Sequence, residues 1–244
     1  TIATGISGTS YTTDWSITAA DWSAMTNGTH YLYFRITDDA GNQYTTPDDA
    51  AGFTIKKDTD YPDSTITAPT DNGYYNSLTN ITGTATDTTS GISYVNITIY
   101  NSTDGKYWNG SGWQSGVAWL TTTMVGSGSS VTWYRNSLPT WVSGKTYVVN
   151  STAVDVAGNV ETSPDSNSFT YDTVAPSAPT YNTAEDQWFT SNPTLDIDFS
   201  DGIALETVEY KVDSGGTWRT IATGISGTSY TTDWSITAAD WSAM

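Results

Sequence analysis

The chain has 244 residues, no cysteine, one histidine and 26 acidic against 8 basic residues, which gives a net charge of −18 at pH 7. This charge provides no basic footprint for nucleic-acid phosphate and disfavours an anionic membrane surface. The absence of cysteine excludes a disulfide framework and the usual zinc sites. Cations are the favoured charged partners, and solubility is the alternative explanation of the acidic composition.

One segment occurs twice along the chain. TIATGISGTSYTTDWSITAADWSAM occupies residues 1–25 and again residues 220–244, so the two copies begin 219 positions apart. Such a run of identities does not arise by chance, and self-similarity at a fixed period indicates a repeat architecture. We therefore predict a tandem array with a unit of 219 residues. Duplication of two distant segments is the alternative.

A weaker internal similarity divides this unit. NGTHYLYFRITDDAGNQYTTP, residues 27–47, aligns with SGKTYVVNSTAVDVAGNVETSP, residues 143–164. Further along, DTTSGISYVNITIY, residues 87–100, resembles SDGIALETVEYKVD, residues 200–213. These similarities place domain boundaries near residues 59 and 171.

Three parts of the chain follow from these boundaries. Residues 1–59 are predicted to be the C-terminal half of an A-type domain, and residues 60–171 a complete B-type domain. Residues 172–244 are predicted to be the N-terminal two-thirds of the next A-type domain. Both domain types have about 110 residues, the size of a small β-sandwich.

Alternation of apolar and polar residues predicts β-strands throughout the chain. Such alternation puts one face of each strand in a core, and it occurs at Leu32, Phe34 and Ile36, at Val95, Ile97 and Ile99, at Leu195, Ile197 and Phe199, and at Val208, Tyr210 and Val212. The stretch DWSITAADWSAM predicts one helical turn. The fold class is therefore all-β, with tandem immunoglobulin-like sandwiches of two alternating types.

Several motifs in order carry a resemblance to a known family. They are Gly-x-His-Tyr-x-Tyr followed by Asp-Asp-Ala-Gly-Asn (residues 28–42), the linker Asp172–Pro176, and VEYKVDSGGTW (Val208–Trp218). The chain resembles the Ig-like repeat domains found in tandem in giant cell-surface and secreted proteins of bacteria and archaea. The resemblance implies an extracellular spacer, stalk, adhesin or surface-layer element without catalysis. WNGSGWQSGVAWL, residues 108–120, departs from the shortest family members and predicts an extra hairpin.

The residues themselves offer little for catalysis. The one histidine, His30, lies in an alternating strand, and the chain has no GxSxG, phosphate loop or HExxH motif. A glycosidase pair of carboxylates would need a cleft, which short repeated sandwiches seldom provide. We therefore expect no enzymatic activity.

Acidic loops predict calcium as a structural cofactor. In a sandwich of alternating strands, the incoming linker and two loops meet at one end, and hard oxygen ligands from several loops suit Ca²⁺. For residues 60–171 the predicted ligands are Asp58, Asp60, Asp87, Asp155 and Asn159; for the other domain type they are Asp172, Asp198, Asp201, Asp38 and Asn42. Ordinary turn formation by Asp and Asn is the alternative.

Two further kinds of site are predicted. Asn-x-Ser/Thr sequons make glycosylation candidates of Asn27, Asn80, Asn96, Asn101, Asn109 and Asn150. Trp108, Trp113 and Trp119 would bind sugar rings or a neighbouring subunit if exposed, or close the core if buried.

The function predicted from the sequence is structural. We expect a repeat unit of an extracellular filament, stalk or surface-layer protein whose partners are further copies of itself. The alternative is an adhesin or carbohydrate-binding module with a glycan or cell-surface partner. No apolar run approaches the roughly 20 residues of a membrane span, so no membrane insertion is expected.

Overall fold

The protein is predominantly β-structure. The computed structural model describes residues 1–46 and 52–244, so Pro47, at the end of the first aligned segment, lies outside the described residues. Strands make up 40% of the chain and helices 5%, which confirms the all-β prediction. Within the described residues, no helix has the length and apolar character needed to cross a membrane.

Within residues 1–46 and 52–59, the N-terminal part shows one helix and two strand pairs. Its elements are α1 (Ala19–Ala24), β1 (Gly28–Leu32), β2 (Arg35–Thr37), β3 (Gln43–Thr45) and β4 (Phe53–Lys57). β1 pairs antiparallel with β4, and β2 pairs antiparallel with β3. The predicted helical turn is α1, which begins after Thr18 because the Thr18 Oγ1 accepts a hydrogen bond from the Asp21 N–H at 3.1 Å.

The central part is built only of strands. They are β5 (Asp63–Ala68), β6 (Gly73–Tyr75), β7 (Ile81–Thr86), β8 (Ile92–Asn101), β9 (Lys106–Trp108), β10 (Trp113–Gln114), β11 (Leu120–Thr121), β12 (Thr123–Val125), β13 (Ser130–Arg135), β14 (Lys145–Asp155) and β15 (Asp165–Tyr171). One sheet has the order β12-β13-β7-β5. The other has the order β10-β9-β8-β14-β15-β6, with β11 also on β8.

These two sheets enclose one apolar core. Alternate residues of β5, β7 and β13 face alternate residues of β8, β14 and β15, as period-two patterning requires. The largest fully buried side chains are Trp133 from one sheet and Tyr147 and Phe169 from the other. The arrangement is that of a β-sandwich. The predicted extra hairpin is confirmed, because β9 and β10 pair antiparallel with Trp108 opposite Trp113.

A buried carboxylate joins the two sheets. Glu161 is 7% exposed, and it accepts hydrogen bonds from the Ser64 N–H and Oγ at 2.9 and 2.7 Å and from the Ala153 N–H at 2.8 Å. Ser64 lies in β5 and Ala153 in β14, so one side chain bridges both layers. An isolated glutamate carries no sequence pattern, and sequence reasoning did not find this residue.

We expect Glu161→Gln to lower the free energy of unfolding by roughly 1–3 kcal/mol. The amide nitrogen of the new glutamine would face a group of Ser64 or Ala153 that is itself a donor, and one buried donor would lose its acceptor. Urea unfolding followed by tryptophan fluorescence measures the change. Glu206→Gln, at an exposed position, is the matched control, and equal midpoints for the two variants would contradict the role given to Glu161.

The C-terminal part contains shorter strands and a second helix. Its elements are β16 (Thr180–Tyr181), β17 (Ile197–Ser200), β18 (Thr207–Tyr210), β19 (Arg219–Thr223), β20 (Ser229–Tyr230) and α2 (Ala238–Ala243). β16, β17 and β20 form one sheet, and β18 pairs with β19. An isolated bridge joins Leu195 to Trp234. The buried apolar residues here are Leu205 and Val208.

The two identical segments adopt different structures. Residues 1–25, all of them described, contain α1 and no strand, whereas residues 220–244 contribute to β19 and form β20 before α2. The second copy follows strands β16–β18, with which β19 and β20 pair. Identical sequence therefore becomes strand only where partner strands are present, because strand pairing depends on non-local contacts.

Candidate metal centre

Asp58 brings a carboxylate from the segment that precedes the central sandwich. It follows β4 directly, and its Oδ1 accepts a hydrogen bond from the Asp60 N–H at 2.9 Å. Its Oδ2 is buried and has no hydrogen-bond partner within the described part of the chain. A buried carboxylate oxygen without a partner is costly, so a ligand for it is expected.

Asp87 follows β7 and organises the loop that leads into β8. Its Oδ1 accepts three backbone hydrogen bonds, from Thr89, Ser90 and Gly91, at 3.1, 2.8 and 2.7 Å. The residue is only 4% exposed, and its Oδ2 has no hydrogen-bond partner among residues 1–46 and 52–244. The loop thus holds one oxygen in place and leaves the other available.

Asp155 ends β14 and is held by the turn that follows. Its Oδ1 accepts from the backbone N–H groups of Gly158 and Asn159 at 2.6 and 2.8 Å, and its Oδ2 accepts from the Asn159 side-chain amide at 2.7 Å. The same amide lies 3.4 Å from the Asp58 carbonyl oxygen. Asn159 therefore positions one carboxylate and contacts the incoming chain.

The three carboxylates converge at one end of the sandwich. Asp58, Asp87 and Asp155 each place an oxygen within 4.8 Å of the others. The ion pairs among the described residues lie elsewhere, joining Lys145 to Asp104 and Arg219 to Asp240. Three like charges at this separation repel one another in a partly desolvated site, so a cation would remove a real electrostatic cost.

The geometry fits calcium. Two oxygens bound to one Ca²⁺ at 2.3–2.6 Å lie at most about 5 Å apart, and the spacing of the three carboxylates is within this limit. Carboxylate ligands from separate loops suit the irregular coordination that Ca²⁺ accepts. The two orphaned oxygens, on Asp58 and Asp87, are the atoms that would gain most from such an ion.

Asp60, the remaining ligand predicted for this site, has a different partner. Its Oδ2 accepts a hydrogen bond from Thr89 Oγ1 at 2.9 Å. Asp60 therefore ties the incoming chain to the Asp87 loop, and it is not a member of the three-carboxylate group. Asp58, Asp87 and Asp155 come together, and Asp60 and Asn159 contact residues of this group.

The second predicted ligand set is dispersed. Within the described residues, its acids form no group of three with oxygens inside 4.8 Å. Asp172 Oδ1 accepts from Ser143 Oγ, and Asp198 Oδ2 accepts from the Asn182 amide. Asp201 Oδ1 accepts from two backbone N–H groups of its own loop, which lower the pKa of this carboxyl.

The loop at Asp38 reproduces the loop at Asp155. Asp38 accepts from the Asn42 N–H at 2.7 Å and from the Asn42 amide at 2.8 Å, the same bonds that Asp155 makes with Asn159. Both bonds lower the pKa of Asp38, and the bond from the Asn42 side-chain amide has the larger effect. The sequence similarity between the two Ala-Gly-Asn turns is thus also a structural one.

The histidine and the tryptophans of the insertion have local partners. His30 Nε2 lies 2.7 Å from the Thr26 carbonyl oxygen. Trp108 and Trp113 are half-buried, with ring centroids 5.6 Å apart, and Trp113 stacks on Tyr147 at 5.9 Å. Trp119 is 51% exposed. Two of the three rings therefore close the core.

The sequons differ in exposure. Asn80 and Asn109 are exposed, while Asn27, Asn96 and Asn150 are half-buried. Asn101 is 4% exposed, and its amide donates to Asp104 at 2.9 Å. Asn80 and Asn109 are therefore the two sequon residues that are exposed, and the Asn109 amide donates to Gln114 Oε1 at 3.0 Å.

Comparison with family models and with curated proteins found no match. The chain matches no model of a known protein family, and no curated protein matches it. The functional inference therefore depends on the geometry of the chain itself.

Proposed function

We propose that this chain is a non-catalytic structural repeat unit of an extracellular filament, stalk or surface layer. Its building blocks are immunoglobulin-like sandwiches of two alternating types in a period of 219 residues. The central type occupies residues 60–171, and residues 172–244 and 1–59 represent parts of the other type. Calcium stiffens the joint between successive blocks.

The strand order supports the immunoglobulin-like assignment. Such sandwiches place strands A, B, E and D in one sheet and C, F and G in the other. The order β5, β7, β13, β12 and the order β8, β14, β15 agree with this scheme. The edge β6 pairs parallel with β15, so the first strand of the sandwich is divided between the two sheets.

The observation that carries the proposal is the position of Asp58. This residue precedes the sandwich, yet its carboxylate meets Asp87 and Asp155 from two loops of the sandwich. A cation bound by all three would link the incoming chain to the end of the domain. An array of domains with linked joints behaves as an extended rod, in which each unit contacts mainly its neighbours.

Electron microscopy of the native material tests this function. We expect thin filaments or an ordered layer with an axial repeat of two sandwich lengths, roughly 70–90 Å at about 3.3 Å per strand residue. Chelation with EDTA is expected to make the filaments visibly more flexible, since the joints lose their cations. A monodisperse globular particle, with or without calcium, would refute the proposal.

A further inference from the structure

The two copies of the 25-residue segment contact different neighbours. In the second copy, Asp240 Oδ2 accepts a hydrogen bond from Tyr210 Oη at 2.7 Å and also pairs with Arg219. The Trp234 ring lies 5.1 Å from the Tyr210 ring. In the first copy, Asp21 is the equivalent of Asp240 and accepts from Thr18 Oγ1 instead.

The first copy makes contacts that the second lacks. Lys57 Nζ donates to the carbonyl oxygens of Trp22 and Met25, at the end of α1, at 2.8 and 2.7 Å. The Phe34 ring packs edge-on against Trp15 at 5.9 Å. The Lys57 bonds use the C-terminal end of the helix, whereas Tyr210 and Arg219 use the carboxylate in its first turn. Phe34 and Tyr210 contact equivalent tryptophans, which precede the helix. The carbonyl oxygens at the helix end and the carboxylate in its first turn are separate atoms, so one copy of the segment can bind a lysine, a tyrosine and an arginine at once.

Beside the first copy, an open groove lies where residues equivalent to Tyr210 and Arg219 would sit. Beside α1, a groove of about 740 Å³ is lined in part by Trp15, Thr18 and Asp21 and by residues 30–34. In the second copy, the equivalents of these three residues surround Tyr210: its ring faces Trp234, and its Oη bonds Asp240 and the Thr237 N–H. A tyrosine and an arginine match the aromatic and acidic lining of the groove.

Two strand edges are also open. In the central sandwich, β14 lies between β8 and β15. β1 corresponds to β14 and pairs with β4. β18 corresponds to β8 and pairs with β19. Within residues 1–46 and 52–244, neither β1 nor β18 pairs with a second strand. Joining β1–β2 to β18 would reproduce the pairing of β14 with β8.

The central sandwich supplies the register for this pairing. The Asp-x-Ala-Gly-Asn turns place Phe34 at the position of Ser151. Val208 and Val95 are both buried, and each lies three residues after a residue whose backbone N–H donates to a glycine carbonyl oxygen. The two valines are therefore equivalent, which places Tyr210 at the position of Ile97. Because Ser151 lies opposite Ile97, Phe34 would face Tyr210. These are the two residues that contact the same tryptophan in the two copies.

The same register brings opposite charges together. Thr152 lies opposite Asn96 in the central sandwich, and their counterparts are Arg35 and Glu209. Both are exposed in this structure. A facing pair of opposite charges on neighbouring strands favours this register.

We propose that strands β1–β4 of one copy of this chain dock on residues 172–244 of a second copy and complete a second sandwich. The edge of β1–β2 pairs with β18, α2 takes the place of α1, and Lys57 of one copy binds the carbonyl oxygens of Trp241 and Met244 in the other. Residues 1–25 of the first copy are displaced at little cost, because the identical segment restores their contacts. This inference rests on the proposed repeat function and names the surface that joins its units.

Docking also bears on the dispersed second ligand set. In the central sandwich, Asp87 and Asp155 meet at the metal centre. Asp38 accepts the two asparagine bonds that Asp155 also accepts, and Asp201 Oδ1, like Asp87 Oδ1, accepts backbone N–H bonds from its own loop. Docking carries Asp38 of one copy toward Asp201 of the other. The second site is thus incomplete in one chain and is completed by a partner copy.

Cysteine cross-linking of the 244-residue chain tests the docking. The chain has no cysteine of its own, and facing residues of antiparallel strands have Cα separations of about 4.5–5.5 Å, within the range that a disulfide spans. We expect the Arg35→Cys/Glu209→Cys variant to form a ladder of disulfide-linked oligomers on mild oxidation, which reduction reverses. Sedimentation velocity of the unmodified chain is expected to show association that increases with concentration.

A matched variant distinguishes docking from random collision. Arg35→Cys/Lys106→Cys carries the same number of exposed thiols, with the second on β9, away from the docking surface. Equal ladders from the two variants, a disulfide formed within one chain, or an unmodified chain that stays monomeric at all concentrations would overturn the proposal. Because this assay uses the isolated chain, docking can fail while native filaments are still observed, and the reverse also holds.

Discussion

Calcium is expected to raise the midpoint of thermal unfolding of this chain by about 10 °C. A ligand at a hundredfold excess over its Kd stabilises the folded state by about 2.7 kcal/mol, and a domain of about 110 residues gains roughly 4 °C per kcal/mol. The cause is the binding of the ion to the orphaned oxygens of Asp58 and Asp87 and the removal of repulsion with Asp155. Calorimetry in 5-fold steps of calcium and after EDTA measures the shift.

Asp87→Asn separates calcium binding from general charge effects. The asparagine Oδ1 can keep the three backbone hydrogen bonds of the loop, while the amide nitrogen replaces the free ligand oxygen. We expect this variant to lose the calcium response and to equal or exceed the stability of the native chain in EDTA, because one repulsive charge is gone. Asp63→Asn makes the same charge change at an exposed position and should keep the response. An unchanged midpoint for the native chain across the titration would eliminate the calcium site.

Gly83→Ala is expected to lower the free energy of unfolding by about 3 kcal/mol, the upper part of the range for overpacked cores. Gly83 lies in β7, and a Cβ there would clash with the Thr65 carbonyl oxygen and with the Trp133 ring. Neither neighbour has room to move. The Thr65 oxygen belongs to the backbone of the strand paired with β7, and the Trp133 side chain is fully buried. Guanidinium unfolding and the near-ultraviolet signal of the tryptophans report the change.

Gly112→Ala is the control for this substitution. A Cβ at Gly112 has no heavy atom within 4 Å, and the residue lies in the turn between β9 and β10. We expect its stability to stay within about 0.5 kcal/mol of the native chain, as is usual for surface substitutions. A Gly83→Ala variant equally close to the native chain would show that the two sheets do not pack as tightly here as the structure indicates.

Local patterns predicted the elements well where the pattern is complete within a few residues. The alternation at Val95, Ile97 and Ile99 became β8, and the tryptophan-rich insertion became the hairpin of β9 and β10. The alternating segment at Leu32, Phe34 and Ile36 is divided between two strands, β1 and β2, with Phe34 in neither. Its counterpart β14 is continuous because strands pair along both of its edges.

Among the described residues, the structure brings together three of the eight predicted carboxylate ligands, and their binding of calcium stays a prediction. Asp58, Asp87 and Asp155 meet because β7, β14 and the incoming segment end at the same pole. Spacing in the sequence could not distinguish them from Asp172, which hydrogen-bonds to Ser143, or from Asp198, which lies within β17 rather than in a loop and hydrogen-bonds to Asn182. A ligand set from separate loops depends on long-range pairing, and a sequence read locally does not contain it.

The all-β class, the 219-residue spacing of the two identical segments, the acidic character and the acidic loops could all be predicted from the amino-acid sequence. These follow from composition, periodicity and turn chemistry, which act over a few residues. Three features became visible only in the folded chain: which acids converge, that Glu161 joins the sheets, and that residues 1–25 and 220–244 differ in conformation. The physical reason is that strand pairing and burial are set by partners far away in the chain, so the same 25 residues form strands in one place and none in the other.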